Sequence, residues 1–154
     1  MTDDVLFHVT IPMPGHTSKK NGKEISFNRS TGRRFVRSND RVLLAQKWLI
    51  QKLTTERLKQ RIDMITEDII AEFIFWFPES VFYTKKGERS LKINDLSNLI
   101  ELPQDCLQTA KIIENDAKVV SLGNSHRRPI KGNQYYLEIK LSRPKESYFS
   151  KLVV

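Results

Sequence analysis

Alternating apolar and polar residues predict strands near both ends of the chain, at residues 5–11 and 135–141. After Asp68, the stretch up to residue 77 is apolar on both faces except for Glu72, a pattern typical of a central strand that is covered on both sides. Three shorter strands are predicted at residues 25–28, 34–36 and 119–122.

Two helices are predicted from apolar residues that recur every three or four positions. The first covers residues 40–61, with Ser38 as its N-cap. Its apolar stripe consists of Val42, Ala45, Leu49 and Leu53, widened by Leu44 and Trp48. The second covers residues 94–109, where Pro103 predicts a kink or a break because proline lacks an amide hydrogen. Residues 79–93 have no clear period and are expected to form a loop.

These elements predict a single α+β domain, a mixed β-sheet with two main helices, over residues 1–142. The length of 154 residues is sufficient to bury one hydrophobic core. Residues 143–154 form a predicted C-terminal tail, which is either flexible or docked on a partner subunit.

The net charge of +8 indicates a polyanionic partner. More than half of the 26 Lys and Arg residues lie in three windows, 19–41, 85–92 and 126–131, which contain few acids. These windows are predicted loops or loop edges, so a phosphate backbone would have access to them. For any single lysine, a solvated surface position is the alternative.

The single cysteine, Cys106, excludes an internal disulfide and a Cys-rich zinc site, and its place on a helix favours a small buried side chain. No segment is apolar for long enough to cross a membrane, and no secretion signal is recognised. We therefore expect a cytoplasmic protein.

Acidic and amide side chains cluster around the second helix. Asp95 begins this helix and Asp116 precedes a short strand, so the simplest interpretations are a helix N-cap and a turn residue. Asn98, Glu101 and Asp105 share one helix face because Glu101 lies three positions after Asn98 and Asp105 lies four positions after Glu101. Such a face is either solvated or one wall of a metal pocket.

Carboxylates within a basic surface are the pattern expected of a nuclease. Phosphodiester hydrolysis develops negative charge on oxygen atoms, which Mg²⁺ neutralises while lowering the pKa of a bound water. Mg²⁺ prefers oxygen ligands and usually takes one or two carboxylates together with water and phosphate. The sequence has neither the histidine pairs nor the cysteine clusters that would favour zinc.

Three motifs resemble the family of RusA-like Holliday junction resolvases. They are DLSNLIE at residues 95–101, DCL at 105–107 and IENDAKVV at 113–120, which are similar to the family patterns D-L-D-N-L-x-K, D-A-L and D-D-x-x-V or I. The segments SKKN at 18–21 and NRSTGRRF at 28–35 also look like the amino-terminal segments of phage and prophage members of this family. The resemblance covers about residues 6–141.

The resemblance implies a homodimeric, Mg²⁺-dependent endodeoxyribonuclease, with Mn²⁺ as a substitute and no small-molecule cofactor. Its partner would be branched DNA such as a four-way junction, resolved by paired symmetric nicks during recombination and repair. A bacterial or phage-encoded protein associated with the nucleoid is expected.

The same resemblance implies roles for individual residues. Asp95 and Asp116 match family metal ligands, and Asn98 and Asp105 match two further family positions. Ser97 and Glu101 depart from the pattern, since an aspartate and a lysine often stand there. Glu101 would then supply the missing carboxylate. The predicted catalytic residues are Asp95, Asp116 and Glu101, with Asp105 as a fourth metal ligand and with Ser97 and Asn98 in support.

The cations expected to hold the DNA arms lie in the three basic windows. They are Lys19, Lys20, Arg33, Arg34, Arg37, Lys85, Lys86, Arg89, Arg127 and Arg128. Phe82 and Tyr83 either stack at the branch point or belong to the core.

Two other functions remain open on the sequence. A protein of the same fold could bind branched DNA without cutting it, because of Ser97 and Glu101. A basic domain associated with RNA or ribosomes is the alternative outside the family. Glu72 either points at the metal site or pairs with a surface arginine.

Overall fold

The computed structural model describes residues 4–18, 23–38, 40–93 and 95–145, and its main feature is a five-stranded mixed sheet. In chain order the strands are β1 (Asp4–Met13), β2 (Lys23–Phe27), β3 (Arg34–Ser38), β4 (Ile69–Pro78), β5 (Val119–Ser121), β6 (His126–Ile130) and β7 (Tyr135–Arg143). The sheet order is β1-β7-β4, and β5 and β6 pair with different stretches of β4. Neighbours in β1-β7-β4 are antiparallel, whereas β5 and β6 run parallel to β4. β2 and β3 form a separate antiparallel hairpin.

Three helices accompany the strands, and the described chain is a single α+β domain, as predicted. They are α1 (Asp40–Gln60), α2 (Glu79–Phe82) and α3 (Leu96–Thr109), and a 3-10 helix covers Asp116–Lys118. α1 packs against α3, and both contribute to one hydrophobic core with one face of the sheet.

The buried stripe of α1 is the predicted one. Val42, Ala45, Leu49 and Leu53 are all buried because their spacing places them on one side of the helix. Leu44 and Trp48, predicted to widen that stripe, are instead 67% and 38% exposed, so this part of the prediction is wrong. Ser38 is the last residue of β3 and not a helix N-cap.

β4 is the central strand, as predicted, but only one of its faces is fully buried. Alternate residues from Ile69 to Phe77 lie in the core, whereas Glu72, Ile74 and Trp76 on the opposite face are half-buried. The expectation of cover on both sides is therefore wrong for this stretch. The prediction placed Ile74 and Trp76 under a second cover because they are apolar, but they do not belong to the core cluster.

Residues 79–93 are more regular than the predicted loop. They contain α2, and a bridge between Tyr83 and Arg89 closes a turn in which Thr84 donates a backbone hydrogen bond to Glu88 at 2.6 Å. Phe82 is buried in the core, whereas Tyr83 is 38% exposed. β6 has no counterpart among the predicted strands.

Pro103 neither ends nor breaks α3, which continues to Thr109. Arg143 is the last residue of β7, and its guanidinium donates hydrogen bonds to the carboxylates of Glu67 and Asp4. Residues 146–154 of the predicted tail lie outside the described residues. None of the helices in the described ranges is both long and apolar enough to cross a membrane.

Candidate functional site

A polar cleft of about 480 Å³ lies between α1, the end of α3 and the 3-10 helix. Its lining residues are Gln46, Asp105, Gln108, Thr109, Asn115 and Asp116. The cleft thus combines two carboxylates from separate elements with three side-chain amides. Two of the four predicted metal ligands, Asp105 and Asp116, are brought together here.

Asp105 is positioned by the packing of α3. Buried residues such as Leu102 and Leu107 hold the apolar face of the helix against the core, and this leaves Asp105 half-buried at the cleft. The adjacent Cys106 is buried, as predicted, and its Sγ lies 4.0 Å from the carbonyl oxygen of Gln46. The contact places α1 directly beside Asp105.

Asp116 is positioned by the turn that follows α3. Its backbone N–H donates to Oε1 of Gln108 at 3.1 Å, which links the turn to the last helical residues. The side chain of Asn115 caps the 3-10 helix by accepting a hydrogen bond from the N–H of Ala117 at 2.8 Å. Asn115 therefore performs the capping, and the exposed Asp116 carboxylate faces the cleft.

Asp95 lies at the opposite end of α3. It occupies the N-cap position, as the simpler interpretation predicted, but its carboxylate makes no capping hydrogen bond. Ten residues separate it from Asp105, which corresponds to about 15 Å along the helix axis. Asp95 is not among the residues that line the cleft of Asp105 and Asp116, so the expectation that Asp95 and Asp116 share one ion stays a prediction.

The other polar residues of the DLSNLIE motif lie on the part of α3 that faces away from the core. Glu101 is exposed and lies four residues before Asp105, so the two side chains are neighbours on one helix face. Asn98 is half-buried and Ser97 exposed. Within the described ranges, no three His, Cys, Asp or Glu side chains are arranged to hold a metal ion.

The donor set of the cleft nevertheless fits a hard divalent cation. Mg²⁺ commonly uses only one or two carboxylates and completes its shell with water and substrate phosphate. Asp105 and Asp116 supply that number, and the cleft is open and polar enough for water and phosphate.

The predicted DNA-binding cations lie on several surfaces. Lys85, Lys86 and Arg89 are exposed in the turn after α2, and Arg33 and Arg34 are exposed on the hairpin. Lys19 and Lys20 lie outside the described residues, and Arg37 is described only through its backbone in β3.

The two arginines of β6 are on opposite faces of the sheet. Arg128 pairs in register with Trp76, and its guanidinium lies 4.8 Å from the centre of the indole ring. Both side chains lie on the face of the sheet where β4 is only half-buried. Arg127 pairs in register with Phe75, whose side chain belongs to the core face. Arg127 and Arg128 were both predicted to contact DNA, and this placement gives them different sides of the sheet from which to do so.

Glu72 points away from the cleft. Its carboxylate lies 3.2 Å from Nζ of Lys140 and accepts a hydrogen bond from the N–H of Asn124 at 3.2 Å. Of the two predicted roles, pairing with a surface cation is thus the observed one, although the partner is a lysine and not an arginine.

Several residues near the cleft were not singled out in the sequence. Gln46 and Gln108 give no motif signal, because amides on a helix are ordinary surface residues. Three lysines, Lys47, Lys111 and Lys118, lie one or two positions from lining residues. Gln46 and Gln108 line the same cleft because α1 packs on α3, and the sequence does not specify this packing.

No protein-family model matches the chain, and no curated protein is significantly similar to it. The likeness to RusA-like resolvases therefore rests on the three motifs and the basic amino-terminal segments.

Proposed function

We propose that this protein is a Mg²⁺-dependent endodeoxyribonuclease that acts on branched DNA, with its cation site at the cleft of Asp105 and Asp116. The observation that carries the proposal is the convergence of these two carboxylates, from two elements, on one open polar cleft. A net charge of +8 supplies the surroundings in which a DNA backbone is bound.

Each lining residue has a defined task in this proposal. Asp105 and Asp116 hold the cation, and Gln108 fixes the turn that presents Asp116. The amides of Gln46 and Asn115 are donors for phosphate oxygens. When bound, Mg²⁺ supplies positive charge to the phosphodiester and the acidity needed to activate water.

Asp95 was predicted to be catalytic from the resemblance and Glu101 as a replacement for the missing carboxylate, and their positions in the structure rank their contributions differently. Glu101 is one helical turn from Asp105 and is close enough to orient water or phosphate at the edge of the cleft. Asp95 is at the other end of α3 and is not among the residues that line the cleft. We therefore expect Asp95→Asn to retain more cleavage than Asp116→Asn.

A homodimer is part of the proposal because a four-way junction has approximate two-fold symmetry. Two identical clefts related by a two-fold axis would act on opposing strands and produce paired nicks. Exposed cations such as Lys85, Lys86 and Arg89 would hold the arms without reading sequence.

The test is cleavage of a synthetic four-way junction in Mg²⁺ by the parental protein and by Asp105→Asn and Asp116→Asn. Each variant should lose roughly 100-fold or more in cleavage rate, because a charged metal ligand is removed, while junction affinity stays within about twofold. Asp63→Asn is the control, since Asp63 is exposed and not part of the cleft lining. Cleavage at the parental rate by either site variant would exclude that carboxylate.

A second function is favoured by one observation. Ser97 and Glu101 stand where the resembled family often has an aspartate and a lysine, and their presence favours a protein that binds branched DNA without hydrolysing it. Tight junction binding without nicks in Mg²⁺ or Mn²⁺ would support this second function, and preference for structured RNA over junction DNA would contradict both.

A further inference from the structure

A second cavity, of about 710 Å³, lies on the other side of α1 from the polar cleft. It is bounded by residues 14–17, by α1 and by the start of β7, and its walls are mostly apolar or aromatic. The main lining side chains are His16, Arg41, Leu44, Trp48 and Tyr135. No motif in the sequence pointed to this cavity.

The walls of this cavity are held in place by hydrogen bonds and ring contacts. The indole N–H of Trp48 donates to the carbonyl oxygen of Pro12 at 3.1 Å, and Nε2–H of His16 donates to the carbonyl oxygen of Trp76 at 3.0 Å. The His16 ring also lies edge-on to Phe77, with 4.7 Å between ring centres. A preformed wall lowers the entropic cost of ordering a ligand against it.

The cavity carries little charge beyond one cation. Burial lowers the pKa of His16 to about 4, so its imidazole is neutral at neutral pH. Arg41 is the charged residue among those that line the cavity, and it is exposed. Among the described lining residues, the site is thus an aromatic and apolar surface beside one guanidinium, and Nζ of Lys52 lies 4.8 Å from the centre of the Trp48 ring.

An unstacked nucleotide has the matching chemistry. Bases stack on aromatic side chains, and a phosphate pairs with arginine. Trp48 and Leu44 present apolar surface that is 38% and 67% exposed, although neighbouring positions of α1 are buried in the core. Binding of a base would cover this surface, and the volume of the cavity is ample for one.

The position of the cavity relates it to the polar cleft. Ala45 lines the cavity and Gln46 lines the cleft, and the Cα atoms of consecutive residues are about 3.8 Å apart. The two sites therefore open on either side of the same turn of α1. A DNA strand held at the cavity would therefore lie beside the same helical turn that lines the cleft of Asp105 and Asp116.

We infer that this cavity binds one nucleobase extruded at the branch point, with the adjacent phosphate on Arg41. The inference rests on the proposed function in requiring a DNA partner, and it adds a site that selects which phosphodiester reaches the cleft. Such a site would also give the protein a preference for one base over another, because the cavity contacts the base itself and not only the DNA backbone.

The experiment combines a protein variant with a DNA lesion. Leu44→Glu places a negative charge at the mouth of the cavity, and Leu58→Glu is the matched control because Leu58 is 65% exposed on the same helix and does not line the cavity. Dissociation constants are measured by gel shift for intact four-way junctions and for junctions with single abasic sites at each position around the branch.

For the parental protein and for Leu58→Glu, one abasic position should weaken binding by about tenfold, the expected loss for one stacked base. For Leu44→Glu, intact junctions should bind about tenfold more weakly, and the same abasic position should change affinity by less than about twofold. Equal affinities of Leu44→Glu and Leu58→Glu, with normal junction binding by both, would overturn the inference alone.

Two other outcomes identify a different occupant or partner. If Leu44→Glu converts a dimer to a monomer in size-exclusion chromatography while Leu58→Glu does not, a second copy of the chain covers the cavity and the inference is wrong. If the parental protein does not bind junctions at all, the proposed function fails together with it.

Discussion

At the scale of single residues, Gly123 lies where any side chain would displace the carboxylate of Glu72. Its φ of +52° is in the left-handed region, and a Cβ built there would lie 2.5 Å from Oε1 of Glu72. The same Glu72 oxygen accepts the hydrogen bond from Asn124 and the second oxygen pairs with Lys140. Because residue 123 is a glycine, the carboxylate of Glu72 has room to hold the turn between β5 and β6 through its hydrogen bond with Asn124.

We predict that Gly123→Ala lowers the free energy of unfolding by about 2 kcal/mol, through backbone strain and displacement of Glu72. Gly32→Ala is the control, because Gly32 has a φ of +69° but open space where its Cβ would lie. Both are measured by urea denaturation. Equal losses in the two variants would show that Glu72 is not displaced.

His16 makes the stability of the protein depend on pH. Its pKa is lowered to about 4, from an ordinary value of 6.5, by burial. Between these values the unfolded chain binds a proton that the folded chain does not, so the stability falls as the pH falls through this window. Above pH 6.5 the imidazole is neutral in both states and the effect is absent.

We expect the free energy of unfolding to fall by about 2 kcal/mol between pH 7 and pH 5 because of His16. His16→Gln keeps a donor for the carbonyl oxygen of Trp76 but does not titrate, so its stability should vary less over this range. Denaturant titrations at the two pH values compare them, and identical pH dependence of the two proteins would contradict a lowered pKa.

Sequence reasoning at this scale identified types of residue better than their roles. It named Asp95, Asp105 and Asp116 but did not separate capping from ligand geometry, which depends on neighbours such as Asn115 and Gln108. Periodicity placed Asp105 and Glu101 on one face of a helix. The distance between Asp95 and Asp116 depended on where the chain turns after α3, and no local pattern encodes this.

At the scale of elements, α1 and β4 were predictable because their apolar residues recur at the helical and the extended period. β6 was not, since its sequence, HRRPI, contains two arginines and a proline. It forms by backbone pairing along β4 and does not rely on an apolar stripe. Proline is tolerated there because β6 pairs along one side with β4.

The junction between α3 and the 3-10 helix carries a prediction for activity. Among the described residues, a side-chain hydrogen bond joins the two elements: Oε1 of Gln108 accepts from the N–H of Asp116 at 3.1 Å. Gln108→Ala should free the turn and lower the cleavage rate by about tenfold, with junction affinity unchanged within about twofold, because Asp116 is no longer held in place.

Single-turnover cleavage over a range of Mg²⁺ concentrations measures this effect. A positioning role predicts that a higher Mg²⁺ concentration partly restores the rate, and Gln108→Glu, which keeps an acceptor oxygen, should lose less than the alanine variant. Gln104→Ala is the control on the same helix, since Gln104 does not line the cleft. Parental rates for Gln108→Ala would exclude the role.

At the scale of the whole molecule, the two carboxylates of the cleft and the exposed cations lie on different elements. α1 and α3 cover one face of the sheet, and the polar cleft lies where they meet the 3-10 helix. The exposed cations of the turn after α2 and of the hairpin are separate from the cleft in sequence. Composition predicts that a partner would be polyanionic, whereas the placement of cations relative to the acids requires the fold.

Binding through these cations should depend on salt concentration. Lys86→Ala is expected to lower the slope of log affinity against log salt concentration by about 0.9, the value for one lost phosphate contact on duplex DNA. Lys59→Ala is the control, because Lys59 already pairs with Glu56 on α1 at 3.8 Å. Equal slopes for both variants and the parental protein would remove Lys86 from the interface.

The most direct test of the central claim is the position of a bound divalent cation. A crystal soaked in Mn²⁺ and measured by anomalous scattering should show a peak within about 2.5 Å of carboxylate oxygens from both Asp105 and Asp116. A crystal of Asp116→Asn treated in the same way should lose that peak. No Mn²⁺ in the cleft, or a peak at Asp95 alone, would contradict the account.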